Sequence, residues 1–361
     1  MKASPSPAST QPPTQKTIAR EAGVSIETVS QILGGRYAHR YSEQTQTQVR
    51  EVAQRLNYRP HRAAQMMRQG RSGLVGVLSS GGNSSLEQRK MMAVAHHLHR
   101  AGYELLVHDV LWFTEPGTPP AQRLVEARVE GVVSVNSPHL QKRDIEMLHD
   151  AGIPLVNLSS ARAGTPSIYS DRLWGYRILR EHLLSLGHRR IVFLLSADLN
   201  QTNSALGEDF LSAMCAVPGA EGLLHTVSHY PDGYRPSTPL EYHPCEPGER
   251  GMREILARHG RPDAVMCSND EWALGALTAC AREKLRVPDD VAITGFDAIP
   301  LTEAGYIPLT TIRYPVDEIG RKGAELLLKL MKQKRLTPDA VDQDTSIKGE
   351  LVVRASTTPS S

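Results

Sequence analysis

Residues 14–33 read TQKTIAREAGVSIETVSQIL, and this stretch decides the fold of the amino-terminal part of the chain. Ile18 and Ala22 are spaced as on one helix, and Gly23 follows as the residue best suited to the left-handed conformation that ends a helix. Ser25 can then cap a second helix. The apolar face of that helix consists of Val29, Ile32 and Leu33. The stretch therefore predicts a helix-turn-helix unit, whose second helix reads bases in the major groove of DNA.

Two further segments complete the predicted head. Ser42 can cap a third helix, which supplies the apolar surface that two short helices lack. We assign residues 14–59 to the helix-turn-helix domain. The chain then reads LNYRPHRAAQMMRQGRS at 56–72, where Pro60 can begin a hinge helix and linker over residues 60–72. Residues 1–13, rich in Pro, Ser and Thr, are expected to be a disordered tail.

Basic side chains are concentrated in the head. Residues 14–72 carry ten basic and four acidic side chains, a net charge of +6, whereas the whole chain has a formal net charge of +2. A charged helical stretch is usually only a solvated surface. Here the charge coincides with the glycine turn and the polar face of the second helix, which favours attraction to DNA phosphates.

Motifs of one protein family run along most of the chain. They are AREAGVSIETVSQIL, LNYRPHRAAQMM, IYSD at 168–171, LLSLGHRRIVFL, AVMCSNDEWALGA, VAITGFD, IPLTTIRYP and ELVVRAST. Each is weak alone, but their combination from Thr14 to Thr357 is specific. The sequence resembles the LacI-type (lactose-repressor) family of transcriptional regulators. The resemblance implies a two-lobed, periplasmic-binding-protein-like core, with the chain crossing between the lobes near residues 170, 313 and 336.

Strand and helix patterns alternate through the remaining residues. Short apolar runs such as LVGVL (74–78) and RIVFLLS (190–196) are separated by helical patterns, which predicts doubly wound parallel sheets. The fold class is therefore α/β, with a helical head and hinge before the two-lobed core. The predicted core subdomains are 73–169 plus 314–334 (amino-terminal) and 170–313 plus 337–357 (carboxy-terminal).

The predicted DNA contacts come from the head and the hinge. The resemblance implies a hinge helix that wedges a leucine into the minor groove, and Met67 occupies that position; His61 and Gln31 also depart from the usual residues. One recognition helix reads few base pairs, so we expect a homodimer on a near-palindromic double-stranded operator. The predicted DNA-binding residues are Thr14, Lys16, Arg20, Ser25, Ile26, Glu27, Thr28, Ser30, Gln31, Arg36, Arg40, Thr45, Tyr58, His61, Arg62, Ala64 and Met67.

A small polar effector, sugar-like or a related metabolite, is expected between the lobes. Ligands of open α/β sheets bind outside the carboxyl ends of the strands. The residues selected on this basis are Ser79, Ser80, Asn136, Thr202, His243, Asn269, Trp272 and Asp297. The resemblance implies that Asp297 offers its carboxylate to the effector, yet Leu206 stands where the family commonly has a partnering arginine. Asp270 is equally well explained as a helix cap, and Trp272 as helix packing.

Other classes of function find less support. No catalytic motif is present, so we predict a non-enzymatic regulator, with repression as the expected mode and no cofactor. Control by a protein partner, or by no effector, stays an alternative; a solute-binding protein or an enzyme on the same core fold is more remote. The four cysteines and the histidines at 96, 97 and 99 lack metal-site spacing. Without a membrane span or signal core, we expect a cytoplasmic, nucleoid-associated protein.

Overall fold

The computed structural model describes residues 13–34, 37–58, 71–79, 84–110, 118–135, 140–162, 164–196, 221–228, 243–333 and 344–358. The chain divides into two compact units, Met1–Arg71 and Ser72–Ser361. We call the first unit the head and the second the core. The greater part of the predicted tail and the predicted hinge helix lie outside the described residues.

The described residues of the head form three α-helices, α1 (Gln15–Glu21), α2 (Ile26–Leu33) and α3 (Glu43–Arg55), with a short 3-10 helix at Ala38–Arg40 before α3. The predicted caps are confirmed. The Ser25 hydroxyl accepts from the Thr28 amide at 3.0 Å, and the Ser42 hydroxyl accepts from the Thr45 amide at 3.2 Å. Gly23 has φ +63°, the left-handed conformation that the turn between α1 and α2 requires.

One small apolar cluster holds the head together. Ile18 and Val29 bring α1 and α2 into it, and Val49 adds the contribution of α3; each of these side chains is 0% exposed. The predicted role of the third helix, to supply apolar surface to the two helices before it, is therefore confirmed.

Twelve strands are described in the core. They are β1 (Leu74–Ser79), β2 (Glu104–Asp109), β3 (Gly131–Ser134), β4 (Leu155–Asn157), β5 (Ser167–Ser170), β6 (Arg190–Ser196), β7 (Glu221–Val227), β8 (Ala264–Cys267), β9 (Ala292–Thr294), β10 (Thr311–Arg313), β11 (Asp344–Ile347) and β12 (Glu350–Val352).

Helices separate most of these strands, as the alternating pattern predicts. They are α4 (Ser85–Arg100), α5 (Pro120–Glu126), α6 (Lys142–Asp150), α7 (Arg172–Ser185), α8 (Glu246–His259), α9 (Asp270–Arg282), α10 (Leu301–Ala304) and α11 (Val316–Met331).

Two parallel sheets define the lobes of the core. The six-stranded sheet has the order β11-β5-β4-β3-β1-β2, and the four-stranded sheet has the order β7-β6-β8-β9. The strand β1 ends at Ser79, while β3 and β8 lead directly into Val135 and Ser268; ligand-binding side chains are expected at these carboxyl ends. The predicted α/β class, with two doubly wound lobes, is confirmed.

The carboxy-terminal segment differs from the predicted division. We predicted that all of 337–357 would join the second lobe, but β11 pairs in parallel with β5 at the edge of the six-stranded sheet. The strand β12 takes a different partner and pairs antiparallel with β10. A four-residue strand of mixed polarity, DTSI, carries no signal of the sheet edge it will join, because its apolar residues are too few to define a buried face.

The helix α11 lies on the six-stranded sheet and against α4. Gly320 places its backbone so close to α4 that an added Cβ would lie 2.5 Å from the Ala93 Cβ. Gly323 approaches Leu158, which follows β4, in the same way. The second half of the chain therefore returns to the first lobe through close helix packing at two glycines.

Candidate functional site

The exposed face of α2 is the first candidate surface. Ile26, at the first position of the helix, is 48% exposed, and Glu27 beside it is also exposed. An aliphatic side chain and a carboxylate are thus presented to solvent at the amino-terminal turn, while Val29 and Ile32 are buried on the opposite side. This is the part of a second helix that faces base edges when a helix-turn-helix unit binds DNA.

The other predicted DNA-binding residues, Gln31 apart, fall into four groups. Hydroxyls at Thr14, Ser25, Thr28 and Thr45 are engaged in helix caps. The charged side chains of Lys16, Arg20 and Arg40 are exposed, and Arg40 lies over the Tyr37 ring with 4.5 Å between its Cζ and the ring centroid. Ser30 is half-buried, and Tyr58 packs on the apolar cluster of the head. Arg36, His61, Arg62, Ala64 and Met67 lie outside the described residues.

Side-chain hydrogen bonds connect α2 to the rest of the head. The Tyr41 hydroxyl donates to Gln31 Oε1 at 2.9 Å, and Gln31 Nε2 donates to Glu27 Oε1 at 3.0 Å. Gln46 Nε2 donates to the Tyr41 carbonyl at 3.0 Å, and Arg50 donates to Gln46 Oε1 at 3.1 Å. Sequence reasoning missed Tyr41, although the loop GGRYAHRY places two tyrosines between α2 and α3.

Asp297 is the centre of the second candidate site, in the core. It follows β9, is 5% exposed and has φ +120°, a conformation that residues other than glycine rarely adopt. Its Oδ1 lies 3.6 Å from a guanidinium nitrogen of Arg172, the first residue of α7. Burial raises the pKa of Asp297 well above its usual range, although the nearby Arg172 opposes that shift.

Arg172 is itself held firmly. Its guanidinium donates to the Ser268 carbonyl at 2.7 Å and lies over the Phe296 ring, with 4.4 Å from Cζ to the ring centroid. The Tyr176 hydroxyl donates to the same Ser268 carbonyl at 2.7 Å. Arginine and tyrosine thus converge beside Asp297, at the carboxyl end of β8, in a fixed arrangement.

A buried lysine approaches the same place from the first lobe. Lys90, on α4, is 3% exposed; its Nζ donates to the Val135 carbonyl and lies 5.8 Å from the Tyr314 ring centroid. Burial lowers the pKa of Lys90 to about 8, partly offset by Glu87 and Asp297. Burial likewise raises the pKa of Tyr314 to about 12. The second site is therefore a cluster of charges drawn from both lobes.

Three hydrogen bonds join the first five residues of α4 to the second lobe. Glu271 Oε1 accepts from the Ser85 amide at 2.9 Å. The Arg89 guanidinium reaches the carbonyls of Asp297 and Ala298, at 3.4 and 3.2 Å. These contacts bring α4 and the turn after β9 together across the interlobe cleft.

The remaining predicted effector residues do not all lie at the cluster around Asp297. Asn269 caps α9, accepting from the Trp272 amide at 2.8 Å, so the cap that we had considered for Asp270 belongs to Asn269. Asp270 instead accepts from the Thr311 hydroxyl and the Ile299 amide. Trp272 is 1% exposed within the apolar cluster of the second lobe, which favours packing over contact with a sugar ring.

Ser79 is buried, and its hydroxyl donates to Glu87 at 3.4 Å. His243 is exposed just before α8. Ser80, Asn136 and Thr202 lie outside the described residues, as does Leu206.

Arg172 and Lys90 were also missed by sequence reasoning. Lys90 repeats at four-residue steps with the buried Leu86, Val94 and Leu98, a spacing that marks it as facing inward. Arg172 lies two residues after the end of β5, the kind of position at which ligand-binding side chains are sought. Both signals are present in the sequence.

The described ranges, taken as a whole, contain neither a metal-ligand cluster nor a membrane-spanning helix. Among those residues, no group of three or more His, Cys, Asp and Glu side chains forms a candidate metal site. None of the helices within them combines the length and hydropathy that crossing a bilayer requires. Cys245, Cys267 and Cys280 are free thiols.

A helix-turn-helix head followed by two parallel α/β lobes defines a class of protein: a DNA-binding regulator with a core built like a periplasmic binding protein. Residues 14–61 match the family model described as bacterial regulatory proteins, lacI family. Residues 180–357 match the model of the periplasmic binding protein-like domain. The chain belongs to the LacI family of transcriptional regulators, which are not enzymes.

Relatives match the chain over nearly its whole length. The ribose operon repressor of Escherichia coli (strain K12) is 28% identical over 328 residues, covering 90% of this chain and 94% of the relative. The repressor PurR of Haemophilus influenzae (strain PittEE) is 28% identical over 350 residues, covering 95% and 98%. The crystal structure of the lac repressor dimer bound to operator and the anti-inducer ONPF is similar with a TM-score of 0.76 at 25% identity, covering 96% of this chain and 99% of the other.

Proposed function

We propose that this protein is a repressor that binds a near-palindromic operator as a homodimer and responds to a small, sugar-like effector between the lobes of its core. The observation that carries the proposal is the capped α2, which presents Ile26 and Glu27 to solvent in a head of strongly positive charge. The relatives named above are repressors, and one of them is a dimer bound to operator.

In this proposal α2 enters the major groove. Ile26 contacts apolar base edges such as the thymine methyl, and Glu27 accepts a hydrogen bond from a base. Lys16, Arg20 and Arg40 are exposed cations suited to the phosphates on either side of the groove. The predicted hinge contacts, with Met67 as the minor-groove wedge, remain part of the proposal.

The effector is proposed to bind at the cluster around Asp297. Both lobes contribute charged groups there, and the Asp297 Oδ1 has no hydrogen-bond partner among the described residues. A carboxylate with a free acceptor site suits the hydroxyls of a sugar. The ribose operon repressor and PurR carry names from sugar and purine regulation, which supports an effector of this size and polarity.

Control by a protein partner stays a second candidate. The favouring observation is the pairing of Asp297 with Arg172, which compensates the buried carboxylate within the chain itself. When an arginine of the same chain already neutralises the carboxylate, a ligand would gain less electrostatic free energy by binding beside it. In either case we propose that the protein acts in the cytoplasm, on chromosomal DNA.

Selection from random DNA duplexes tests the proposed operator. We expect the full-length protein to enrich a near-palindrome, because a two-fold symmetric dimer doubles the few base pairs that one α2 can read. Enrichment of asymmetric sites only, or of none above bulk DNA, would refute it.

A thermal-shift screen with sugars and nucleobases tests the effector. We expect at least one compound to raise the melting temperature of the protein, since a ligand that binds only the folded state stabilises it. If none does, the partner-controlled regulator becomes the better account.

A further inference from the structure

We infer that Tyr41 and Gln31 act as positioning residues, which hold the carboxylate of Glu27 so that α2 selects cytosine at one position of the operator. This inference rests on the proposed function, because it concerns the base that a DNA-bound α2 would read. It assigns Gln31 a role different from direct base contact and gives Tyr41 a role in specificity.

The direction of each hydrogen bond is fixed by chemistry. A carboxylate only accepts, so Gln31 must turn its amide nitrogen toward Glu27 Oε1, 3.0 Å away. The Gln31 oxygen is then left to face Tyr41, whose hydroxyl donates to it at 2.9 Å. Removing the Tyr41 hydroxyl would free the Gln31 amide to rotate. The orientation of Glu27 thus depends, through Gln31, on a tyrosine ten residues beyond that glutamine.

The tyrosine is anchored from α3. Its ring packs partly buried against the apolar cluster of the head. Its carbonyl accepts from Gln46 Nε2 at 3.0 Å, and Gln46 in turn accepts from Arg50 at 3.1 Å. Positions on α3 therefore fix the backbone that carries Tyr41. A chain of contacts runs from α3 to the exposed end of α2.

The chemistry of Glu27 favours one base. In the major groove only cytosine and adenine present an amino donor, from N4 and N6 respectively. Adenine places its N7 acceptor beside that donor, which repels a carboxylate, whereas cytosine has no acceptor there. Guanine and thymine offer acceptors to the same carboxylate and are rejected. Glu27 keeps Oε2 for the base while Oε1 accepts from Gln31.

The experiment compares full-length variants on operators carrying each of the four bases at every position. Glu27→Gln identifies the position that residue 27 reads, because a glutamine there shifts preference from cytosine toward adenine. At that position Tyr41→Phe and Gln31→Met should each reduce the preference for cytosine about 10-fold, the size of one hydrogen bond. The double variant should lose no more than either single variant, since both break one chain of contacts.

Tyr37→Phe is the matched control. It removes a hydroxyl from the neighbouring tyrosine and keeps the ring beneath Arg40, so cytosine preference should match the parent. Affinity for bulk DNA and the melting temperature should be unchanged in Tyr41→Phe, which separates positioning from general loss of structure.

Several outcomes would overturn the inference. If Gln31→Met changes preference at a second position, Gln31 reads a base itself. If Tyr41→Phe weakens all operators equally, the tyrosine is merely structural. If Tyr41→Phe and Gln31→Met both keep the full preference for cytosine, while Glu27→Gln shifts preference toward adenine, the positioning role is wrong. The proposed function would then be unaffected. A Glu27→Gln protein with unchanged preference everywhere would count against the proposed reading by α2.

Discussion

Lys90 is a charged side chain in the apolar stripe of α4, and its burial makes it sensitive to pH. Burial lowers the pKa of Lys90 in the folded protein to about 8, below the value of 10.5 for an exposed lysine. The folded state therefore holds this proton less tightly than the unfolded state. Above pH 10.5 the amine is neutral in both states, and its burial does not reduce the free energy of unfolding. As the pH falls from 10.5 to 8, the unfolded state takes up the proton first, so the free energy of unfolding decreases.

Replacing Lys90 by methionine should remove this pH-dependent decrease in the free energy of unfolding. The free energy of unfolding of Lys90→Met, relative to the parent, should rise as the pH falls from 10.5 to 8, by up to about 3 kcal/mol, and then level off. Urea unfolding at pH 7.5, 9 and 10.5 measures it. Lys142→Met, which removes an exposed lysine of the same lobe, controls for the loss of one positive charge. A constant difference across this range would mean that Lys90 is charged throughout.

Individual site residues could be predicted only in part. Asp297 was found because it follows a strand and lies in the VAITGFD motif, and the exposed Glu27 was found from the polar face of α2. Arg172, which pairs with Asp297, and Tyr41, which contacts Glu27 only through Gln31, were not found. Spacing along one helix shows which face a side chain shares, but it does not show which side chain of a distant segment will meet it.

Helices α8 and α9 show how close two elements of the second lobe come. An added Cβ at Gly275 of α9 would lie 1.9 Å from the Cys245 carbonyl oxygen, and one at Gly248 of α8 would lie 2.0 Å from the Trp272 carbonyl oxygen. The obstructing atoms belong to the backbone, so no side-chain rotation can relieve the clash. Close packing of this pair depends on glycine at both positions.

Gly275→Ala should therefore destabilise the core by at least about 2 kcal/mol, because the two helices would have to separate. The control is Gly305→Ala, also in the second lobe, where the nearest atoms to an added Cβ are 3.6 Å away. Denaturant unfolding of both variants gives the comparison. Equal stability of the two proteins would show that α8 and α9 can shift apart at little cost.

Elements were predictable where their apolar pattern was strong. LVGVL predicted a strand over 74–78, and β1 is Leu74–Ser79. The strands β7 and β11 were not predicted. The first reads EGLLHTV and the second DTSI, and each mixes polar with apolar residues too evenly to distinguish a short edge strand from a loop. These strands form because a partner strand exposes an edge, which is a tertiary effect.

At the scale of the whole molecule, effector and operator should influence each other reciprocally. A ligand near Asp297 can shift the arrangement of the lobes only by its differential affinity for the two states, and operator binding must then shift ligand affinity by the same factor. The proposed regulation is therefore a measurable coupling between the head and the core, the two compact units of the chain.

Asp297→Asn should abolish this coupling. With the compound returned by the thermal-shift screen, the parent should change its operator affinity about 5-fold or more, whereas the variant should show no change and bind DNA normally without ligand. Fluorescence anisotropy with labelled operator measures both. Asp317→Asn, at an exposed position of α11, should respond as the parent does. An undiminished response in Asp297→Asn would place the effector elsewhere.

The cap on α4 has a kinetic consequence. Within the described residues, Ser84 makes no side-chain cap, and the Ser85 amide is satisfied by Glu271 from the other lobe. When the lobes part, the first turn of α4 loses this acceptor, and Arg89 loses two carbonyls. The amide protons of that turn should then exchange with solvent at a rate set by lobe opening. The exchange rate at the start of α4 would therefore report how often the lobes open, which is the motion that the effector is proposed to control.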